Sequence, residues 1–292
     1  NLEKMDKHFH MIRCNSMQRS LGINDYRAYK EILSNLKRIT PDIVHCHSSK
    51  AGIVGRLAAK KCRVGKIFYT PHAYAFQNPE LSFLNKTIYV LAEKILSRIS
   101  TTKTINVSKG EMEQALRYRL DSKDKFEVIY NGISEIDLVD KNTLKERYGF
   151  KNSTYLIGIT ARCAEQKDPF TWLEIAETVV KKCDQVEFIY IGDGPMQEKM
   201  KNWIAEHNMS EYIHLPGFCP EASVMVGMLD IYLSTALYEG MPYSMLEAMR
   251  AGVPIIATDT VGNNEIVNCN VSGFLFSIGN VQRAVEQIVR QI

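Results

Sequence analysis

Two carboxylates, Glu239 and Glu247, lie eight residues apart in a segment predicted to be a loop followed by a short helix. Pro242 between them suits the first helical position, because it has no N–H and its φ is already helical. The N–H groups of the next three residues would then be unpaired at the positive end of the helix. A phosphate on that turn, with carboxylates accepting from hydroxyls on either side, is the chemistry that recognises a sugar nucleotide.

The same spacing also has a purely structural interpretation. Ser244 and Glu247 form the S-x-x-E pattern of a capping box, in which the glutamate reaches back to a backbone N–H. The spacing alone does not distinguish a cap from a ligand-binding carboxylate.

The residues around these carboxylates resemble the E-x7-E signature of the retaining glycosyltransferases of family 4. The match covers residues 239–249 and continues through the apolar run that follows Gly252. Because that family has the GT-B fold, the resemblance implies an α/β protein with two Rossmann-like domains facing a cleft. Glu239 would bind hydroxyls of the donor sugar, and Glu247 would bind the ribose. The donor-site residues implied in this segment are Glu239, Glu247, Gly240, Met241, Tyr243 and Ser244.

Two basic residues, Arg162 and Lys167, lie five positions apart in a loop between a predicted strand (154–161) and a predicted helix (169–182). Two cations converging there would hold a diphosphate, arginine through its fork and lysine as a point charge. Without further evidence, two basic residues in a loop are most often surface charges. The family's diphosphate-binding Arg and Lys fall on these two positions, so the resemblance implies that they stabilise the leaving diphosphate.

His72 follows the predicted strand 66–70, at the end where open α/β sheets bind ligands. A lone histidine is more often structural. The T-P-H sequence at this point nevertheless resembles the family's active-site histidine, which faces the donor sugar, so we predict that His72 is catalytic together with Glu239, Arg162 and Lys167. By the same resemblance, Gly217 and Phe218 are predicted to flank the nucleotide base.

Ser49 and Lys50 are predicted to lie on the acceptor side, at the start of a helix over 50–62. Ser49 is a plausible N-cap, and Lys50 would form an anion site beside the free N–H groups; an exposed lysine is the alternative. His45 and His47 share one face of the preceding strand. No carboxylate or third ligand stands at ligand spacing, so the sequence does not predict a metal site.

Strands and helices alternate along most of the chain, which predicts parallel sheets wound with helices. The predicted strands include 126–132, whose Asn131-Gly132 turn signal ends the first domain, and 186–192.

We predict a first domain over 1–138 and a second, nucleotide-sugar-binding domain over 139–292. A short strand is predicted over 8–14 and a helix, capped by Asn24, over 24–39. The family's opening strand and glycine-rich loop have no counterpart here. We therefore expect a fragment, shortened at both ends, whose first domain lacks its opening strand and is poorly stable alone.

The composition, 45% hydrophobic and 24% charged, is that of a globular protein. The net charge of +3 conceals an asymmetry, because residues 1–140 hold 23 Lys and Arg against 15 Asp and Glu. Such a basic half would be attracted to anionic lipid headgroups. It lacks the interleaved aromatics that favour nucleic acid. Seven scattered cysteines suggest reduced thiols, and no apolar run approaches the ~20 residues of a membrane span. We predict a cytoplasmic protein associated peripherally with the inner face of the cell membrane.

The resemblance implies transfer of a sugar from a nucleotide diphosphosugar to an acceptor hydroxyl, with retained configuration and without a metal or other cofactor. The segment 47–52, together with T-P-H, resembles bacterial capsule, exopolysaccharide and O-antigen enzymes, so the predicted acceptor is lipid-linked or a saccharide. A nonhydrolysing sugar-nucleotide epimerase shares the fold, but it would need more catalytic carboxylates and histidine. The other alternative is a fragment that binds nucleotide without turnover.

Overall fold

A computed structural model describes residues 10–17, 22–269 and 271–292 of the chain. The internal contacts divide the protein into two compact units. The first unit comprises the described residues up to Pro71, together with Leu84–Ile105 and Ala115–Glu127. The second unit comprises His72–Phe83, Asn106–Gln114 and Val128–Ile292. The loops that follow the second and third strands of the chain are therefore grouped with the second unit.

One sheet is built from four strands that lie in chain order, and the first three of them pair in parallel. The strands are β1 (Ile43–His47), β2 (Lys66–Thr70), β3 (Lys103–Asn106) and β4 (Phe126–Val128). The helices that alternate with them are α1 (Ile23–Ile39), α2 (Ser49–Lys61), α3 (Phe83–Ser100) and α4 (Lys109–Arg117). This alternation confirms the predicted α/β class.

The beginning of the chain differs from the sequence prediction in two respects. Residues 8 and 9 of the predicted strand lie outside the described residues, and residues 10–14 form no strand. The N-cap of α1 is Gly22 rather than Asn24. The Asp25 carboxylate explains this start, because it accepts a hydrogen bond from the Gly22 N–H at 2.9 Å.

A buried ion pair lies in the core of the first unit. Arg56 of α2 is fully buried and its Nη2 lies 2.7 Å from Oε2 of Glu93 on α3. The Tyr69 hydroxyl donates to the other oxygen of Glu93 at 2.8 Å. The Arg56 guanidinium carbon lies over the Tyr69 ring, 3.7 Å from the ring centre. Gly52 lets α2 approach β2 this closely, since a Cβ there would lie 2.4 Å from the Tyr69 ring.

The second unit contains a six-stranded parallel sheet with the order β10-β9-β8-β5-β6-β7. Its strands are β5 (Tyr155–Thr160), β6 (Val186–Ile191), β7 (Ile213–Gly217), β8 (Ile231–Ser234), β9 (Ile255–Thr258) and β10 (Gly273–Phe276). Its helices are α5 (Lys141–Arg147), α6 (Pro169–Val180), α7 (Gln197–Glu206), α8 (Ala222–Met225), α9 (Tyr243–Arg250), α10 (Asn263–Ile266) and α11 (Val281–Val289). The chain order reverses at β5, and ligands of open α/β sheets bind beyond the carboxyl ends of the strands at such a point.

Candidate functional site

The second unit contains a cavity of about 740 Å³ beside the segments that follow β5, β6 and β8. This volume is within the range of small-molecule sites, roughly 300–1,000 Å³. The predicted site residues that line it are His72, Arg162, Lys167, Phe218, Glu239, Gly240, Met241, Tyr243, Ser244 and Glu247. Its described lining does not include Gly217, Ser49 or Lys50. The structure thus brings together all the predicted catalytic residues and most of the predicted donor-binding residues.

Lys167 and Glu239 form an ion pair inside this cavity. Their side chains are only 17% and 9% exposed, so water screens the pair weakly. The backbone at Lys167 is fixed because the Thr235 hydroxyl donates to its carbonyl at 2.8 Å. An anionic group that binds Lys167 would therefore take the place of Glu239, and a hydroxyl that binds Glu239 would take the place of Lys167.

Arg162 lies just beyond the end of β5 and its side chain is exposed at the cavity. The Tyr190 hydroxyl donates to the Arg162 carbonyl at 3.2 Å, which holds the backbone of this loop against β6. Arg162 and Lys167 are the two Lys or Arg residues in the described lining of the cavity. An anionic ligand is therefore the chemistry that this side of the cavity favours.

The start of α9 differs from the prediction. Pro242 is the N-cap, with φ −71° and ψ 122°, rather than the first helical residue, because its ψ lies in the extended region. The Met245 N–H donates to the Pro242 carbonyl at 3.2 Å, so it is not unpaired as predicted. Among the described residues, nothing accepts from the N–H groups of Tyr243 and Ser244. The anion-binding turn is therefore smaller than the sequence suggested.

Glu247 does not form the capping box that its spacing allowed. Ser244 is the second residue of α9, and its Oγ accepts from the Tyr232 hydroxyl at 2.7 Å. No group in the described part of the chain donates a hydrogen bond to the Glu247 carboxylate. Burial raises the pKa of Glu247, and the charge of Arg250 opposes that rise. A half-buried carboxylate in the cavity lining is thus available to a hydroxyl donor.

His72 and Ala73 both occupy the left-handed backbone region, with φ of 51° and 75°. This region costs a non-glycine residue about 1 kcal/mol or more, so neighbouring groups must hold the turn. Glu111 supplies one such contact, since its Oε1 accepts from the Ala73 N–H at 2.6 Å. Gly240 supplies space on the other side, because a Cβ there would lie 2.9 Å from the Ala73 nitrogen.

Glu111 was not among the predicted site residues, although its spacing from Ser108 was a signal for it. Glu111 is fully buried, and its Oε2 also accepts from the Val107 N–H at 2.8 Å. Burial raises the pKa of Glu111 to about 7, against the opposing effect of the hydrogen bonds from Val107 and Ala73. Ser108 and Glu111 have the S-x-x-E spacing, and the Ser108 Oγ accepts from the Glu111 N–H at 3.1 Å. A capping pattern is therefore formed here and not at Ser244.

Asn131 is a second site residue whose sequence pattern, Asn-Gly, predicts only a turn. The strand predicted over 126–132 ends at Val128, and Asn131 lines the cavity. Its Nδ2 donates to the Met241 carbonyl at 2.8 Å, and its Oδ1 accepts from the Tyr243 hydroxyl at 3.2 Å. Asn131 thus supports the loop that carries the donor-site residues. Nothing in the Asn-Gly pattern itself distinguishes this from an ordinary turn.

The two acceptor-side residues lie in the first unit. The N-cap of α2 is Ser48 rather than Ser49, which is the first helical residue. Lys50 is not an exposed lysine, because its Nζ lies 2.6 Å from Oδ1 of Asp25. The role of Ser49 and Lys50 toward an acceptor stays a prediction.

Phe218 and Gly217 differ in their relation to the cavity. Phe218 lines it and is 72% exposed. Gly217 is the last residue of β7, and its carbonyl accepts from the Gly192 N–H at 2.8 Å. Their contact with a nucleotide base stays a prediction.

In residues 10–17, 22–269 and 271–292, no group of three or more His, Cys, Asp or Glu side chains could hold a metal ion.

Two family models match the chain. The model described as glycosyl transferases group 1 matches residues 140–291, and the model described as glycosyltransferase family 4 matches residues 7–135. Among curated proteins, an Escherichia coli UDP-Gal:alpha-D-GlcNAc-diphosphoundecaprenol alpha-1,3-galactosyltransferase is 29% identical over 276 residues. That alignment covers 92% of this chain and 70% of the E. coli protein. EpsD of Bacillus subtilis, which is named as a putative glycosyltransferase, is 25% identical over 273 residues, covering 90% of this chain and 70% of EpsD.

A solved structure shows a similar fold. The crystal structure of Anabaena HepE in complex with UDP-glucose superimposes with a TM-score of 0.75 at 21% identity. The superposition covers 90% of this chain and 71% of HepE. At this identity the likeness concerns the fold alone, and it agrees with two parallel-sheet α/β units.

Proposed function

The chain belongs to the glycosyl transferases of group 1 and family 4, and we propose that it moves a sugar from a nucleotide diphosphosugar to an acceptor hydroxyl with retained configuration. The observation that carries this proposal is the cavity of about 740 Å³ in the second unit. Two cations, three carboxylates (Asp193, Glu239 and Glu247) and His72 line this space. Cations suit the diphosphate of such a donor, and carboxylates suit the hydroxyls of its sugar and ribose.

In this proposal Arg162 and Lys167 bind the diphosphate and stabilise the negative charge that develops on it as the bond to the sugar breaks. Lys167 is already paired with Glu239, so donor binding exchanges that ion pair for two new contacts. Glu239 then accepts from sugar hydroxyls, and Glu247 accepts from the ribose. Because the two cations take the role that a divalent metal has in other transferases, we propose that turnover needs no metal and expect EDTA to leave it unchanged.

The most direct test is to incubate the protein with UDP-, GDP- and ADP-sugars, with and without a lipid-diphosphate saccharide acceptor. Acceptor-dependent release of nucleoside diphosphate, with a product of unchanged anomeric configuration by NMR, supports the proposal. Sugar conversion without release indicates an epimerase. Thermal stabilisation without either reaction indicates binding alone, since a ligand at 100 times its Kd stabilises a protein by about 2.7 kcal/mol.

The relatives support a more specific proposal about the substrates and the setting. The name of the E. coli relative gives a UDP-sugar donor and a diphosphoundecaprenol-linked acceptor. Another relative is named as an amylovoran biosynthesis glycosyltransferase. We therefore propose a UDP-sugar donor, a lipid-linked saccharide acceptor and a place in bacterial surface polysaccharide synthesis.

An exposed face of α3 supports peripheral binding to an anionic membrane on the cytoplasmic side. Five aliphatic residues of α3, each 49–68% exposed, repeat at helical spacing: Leu84, Ile88, Leu91, Ile95 and Ile99. Glu93 is the acidic residue of α3, and it is buried against Arg56. The other charged residues of α3 are all basic. An apolar stripe flanked by basic residues is typical of helices that lie in a membrane interface. In the described residues, no helix combines the length and apolarity needed to cross a bilayer.

Replacing Lys94 and Arg98 with glutamine is expected to weaken binding to vesicles that contain phosphatidylserine. Each basic residue near such a surface contributes about 1 kcal/mol, so the double variant should lose on the order of 30-fold in affinity at low salt. Leu91→Ser with Ile95→Ser should weaken binding further, because less apolar area enters the interface. Lys181→Gln, an exposed lysine of the second unit, is the control. Equal binding of all variants in a cosedimentation assay would contradict the assignment to α3.

Glu247→Gln is expected to weaken nucleotide binding on the order of tenfold, because a charge-assisted hydrogen bond to the ribose becomes a neutral one. The melting temperature should not fall, since no hydrogen bond to Glu247 exists in the described structure. Burial raises the pKa of Glu247 in the folded protein. Ionisation of Glu247 therefore lowers the free energy of unfolding at pH values above its unfolded-state pKa of about 4.3, and this loss is absent below that pH. Titration calorimetry and thermal melts should be compared with the exposed control Glu211→Gln. A large loss of melting temperature with unchanged affinity would support a structural role instead.

A further inference from the structure

We infer that Glu111 is a positioning residue that holds His72 in the lining of the donor cavity. Glu111 acts on the backbone of the turn formed by His72 and Ala73. The consequence for sugar transfer rests on the proposed function, in which His72 faces the donor sugar. Glu111 itself does not line the cavity and therefore acts through the turn.

The turn has a conformation that its own residues disfavour. His72 and Ala73 have consecutive positive φ angles, although neither is glycine. Such a conformation persists where the surrounding structure determines it, and clusters of this kind are found at functional sites. Contacts from two different segments of the second unit hold the backbone at Ala73.

The first contact is the buried carboxylate. Its Oε1 accepts from the Ala73 N–H at 2.6 Å, directly after the histidine. The second contact is Gly240, where a Cβ would lie 2.9 Å from the Ala73 nitrogen and 3.2 Å from the His72 carbonyl carbon. Gly240 follows Glu239, so the turn packs against the same segment that carries the predicted sugar-binding carboxylate.

Glu111 can fix the turn because its own position is determined independently. Its Oε2 accepts from the Val107 N–H at 2.8 Å, and the Asn106 amide lies 3.4 Å away. The first turn of α4, which carries Glu111, is bound by the Glu265 carboxylate. That carboxylate accepts from the N–H groups of Lys109 at 3.0 Å and Gly110 at 2.5 Å. The carboxylate of Glu111 therefore has little freedom to follow a displaced turn.

Glu111→Gln, compared with Ser108→Ala, separates the effect of Glu111 on the His72 turn from its effect on the start of helix α4. A carboxylate offers two acceptor oxygens, one to Ala73 and one to Val107, whereas a glutamine amide offers one oxygen and one NH2 group. Glu111→Gln therefore cannot satisfy both N–H groups and must place a donor against one of them. Ser108→Ala is the complementary variant, because it removes the acceptor for the Glu111 N–H without touching Ala73. Glu113→Gln, an exposed residue of the same helix, matches the change of charge.

The first measurement is backbone amide exchange at Ala73 in the full chain, compared across the three variants. We expect exchange at Ala73 to accelerate at least tenfold in Glu111→Gln and to change less than threefold in Ser108→Ala and Glu113→Gln. Unchanged exchange in Glu111→Gln, or equal acceleration in Ser108→Ala, would overturn the inference. This measurement needs no substrate, so it decides the positioning role even if the proposed function is wrong.

The second measurement uses UDP and UDP-galactose as probes. UDP contains the diphosphate and ribose but no donor sugar, so Glu111→Gln should leave its Kd within twofold. Turnover of UDP-galactose should fall 10- to 100-fold in kcat with KM changed less than threefold, since small misplacements of reacting groups carry costs of this size. Accelerated exchange with unchanged kcat would overturn the link from Glu111 to the sugar. If the wild-type chain turns over none of the donor sugars, the proposed function fails and the exchange result still stands.

Discussion

Alanine at either Arg162 or Lys167 is expected to lower nucleotide-sugar turnover by about 10²–10³, the usual effect of removing one donor that stabilises a developing negative charge. These are the two Lys or Arg residues in the described lining of the cavity, so no other residue of that kind there can take over. Arg162→Lys should restore only part of the rate, because lysine is a point charge and cannot bind two phosphate oxygens through a fork.

Lys167→Ala needs a second control because it also leaves Glu239 without its ionic partner. Glu239 is nearly buried, so the loss of the lysine costs stability as well as ligand binding. Comparing Lys167→Ala with Lys167→Ala/Glu239→Gln by thermal melting separates these effects, since the double variant has no unpaired carboxylate. Lys182→Ala, exposed and outside the cavity, should behave as wild type. Near-normal turnover in both Arg162→Ala and Lys167→Ala would show that the diphosphate is bound elsewhere.

The central strands of the second unit could be predicted within one or two residues because they are buried on both faces. β5 was predicted over 154–161 and covers Tyr155–Thr160, and β6 was predicted over 186–192 and covers Val186–Ile191. Such strands appear in a sequence as nearly continuous apolar runs, which turn residues interrupt clearly. The resemblance to the family then gave ten of the residues that line the cavity, because each of its motifs is a short continuous segment.

The features that could not be predicted depend on contacts between distant segments. The Ala73 N–H and the Glu111 carboxylate are 38 residues apart, and Asn131 and Met241 are 110 apart. No local pattern shows that these groups meet. At α9 a local pattern was misleading, because Ser244 and Glu247 have capping spacing while the helix begins one residue after Pro242. The Ser244 hydroxyl oxygen accepts from the Tyr232 hydroxyl instead of from a helix N–H group.

Glu93→Ala is expected to lower the free energy of unfolding of the first unit by about 3–5 kcal/mol, the typical cost of leaving one partner of a buried ion pair alone. Arg56 is fully buried, and its remaining acceptors would be the Gly52 carbonyl at 3.0 Å and the Thr101 hydroxyl at 3.4 Å. Neither carries a charge. The Tyr69 hydroxyl would also lose the acceptor that it now finds in Glu93.

Removing both charges should cost less than removing one. Arg56→Leu/Glu93→Leu is expected to recover at least half of the loss in Glu93→Ala, because desolvation of two ions is avoided. Glu127→Ala breaks the exposed pair with Lys103 in the same unit and should cost no more than about 1 kcal/mol. Trp172 and Trp203 both lie in the second unit, so their fluorescence reports on that unit. The stability of the first unit is therefore measured by hydrogen exchange of the backbone amides in α2 and α3. A loss in Glu93→Ala no larger than in Glu127→Ala would mean that the Arg56–Glu93 pair does not stabilise the first unit.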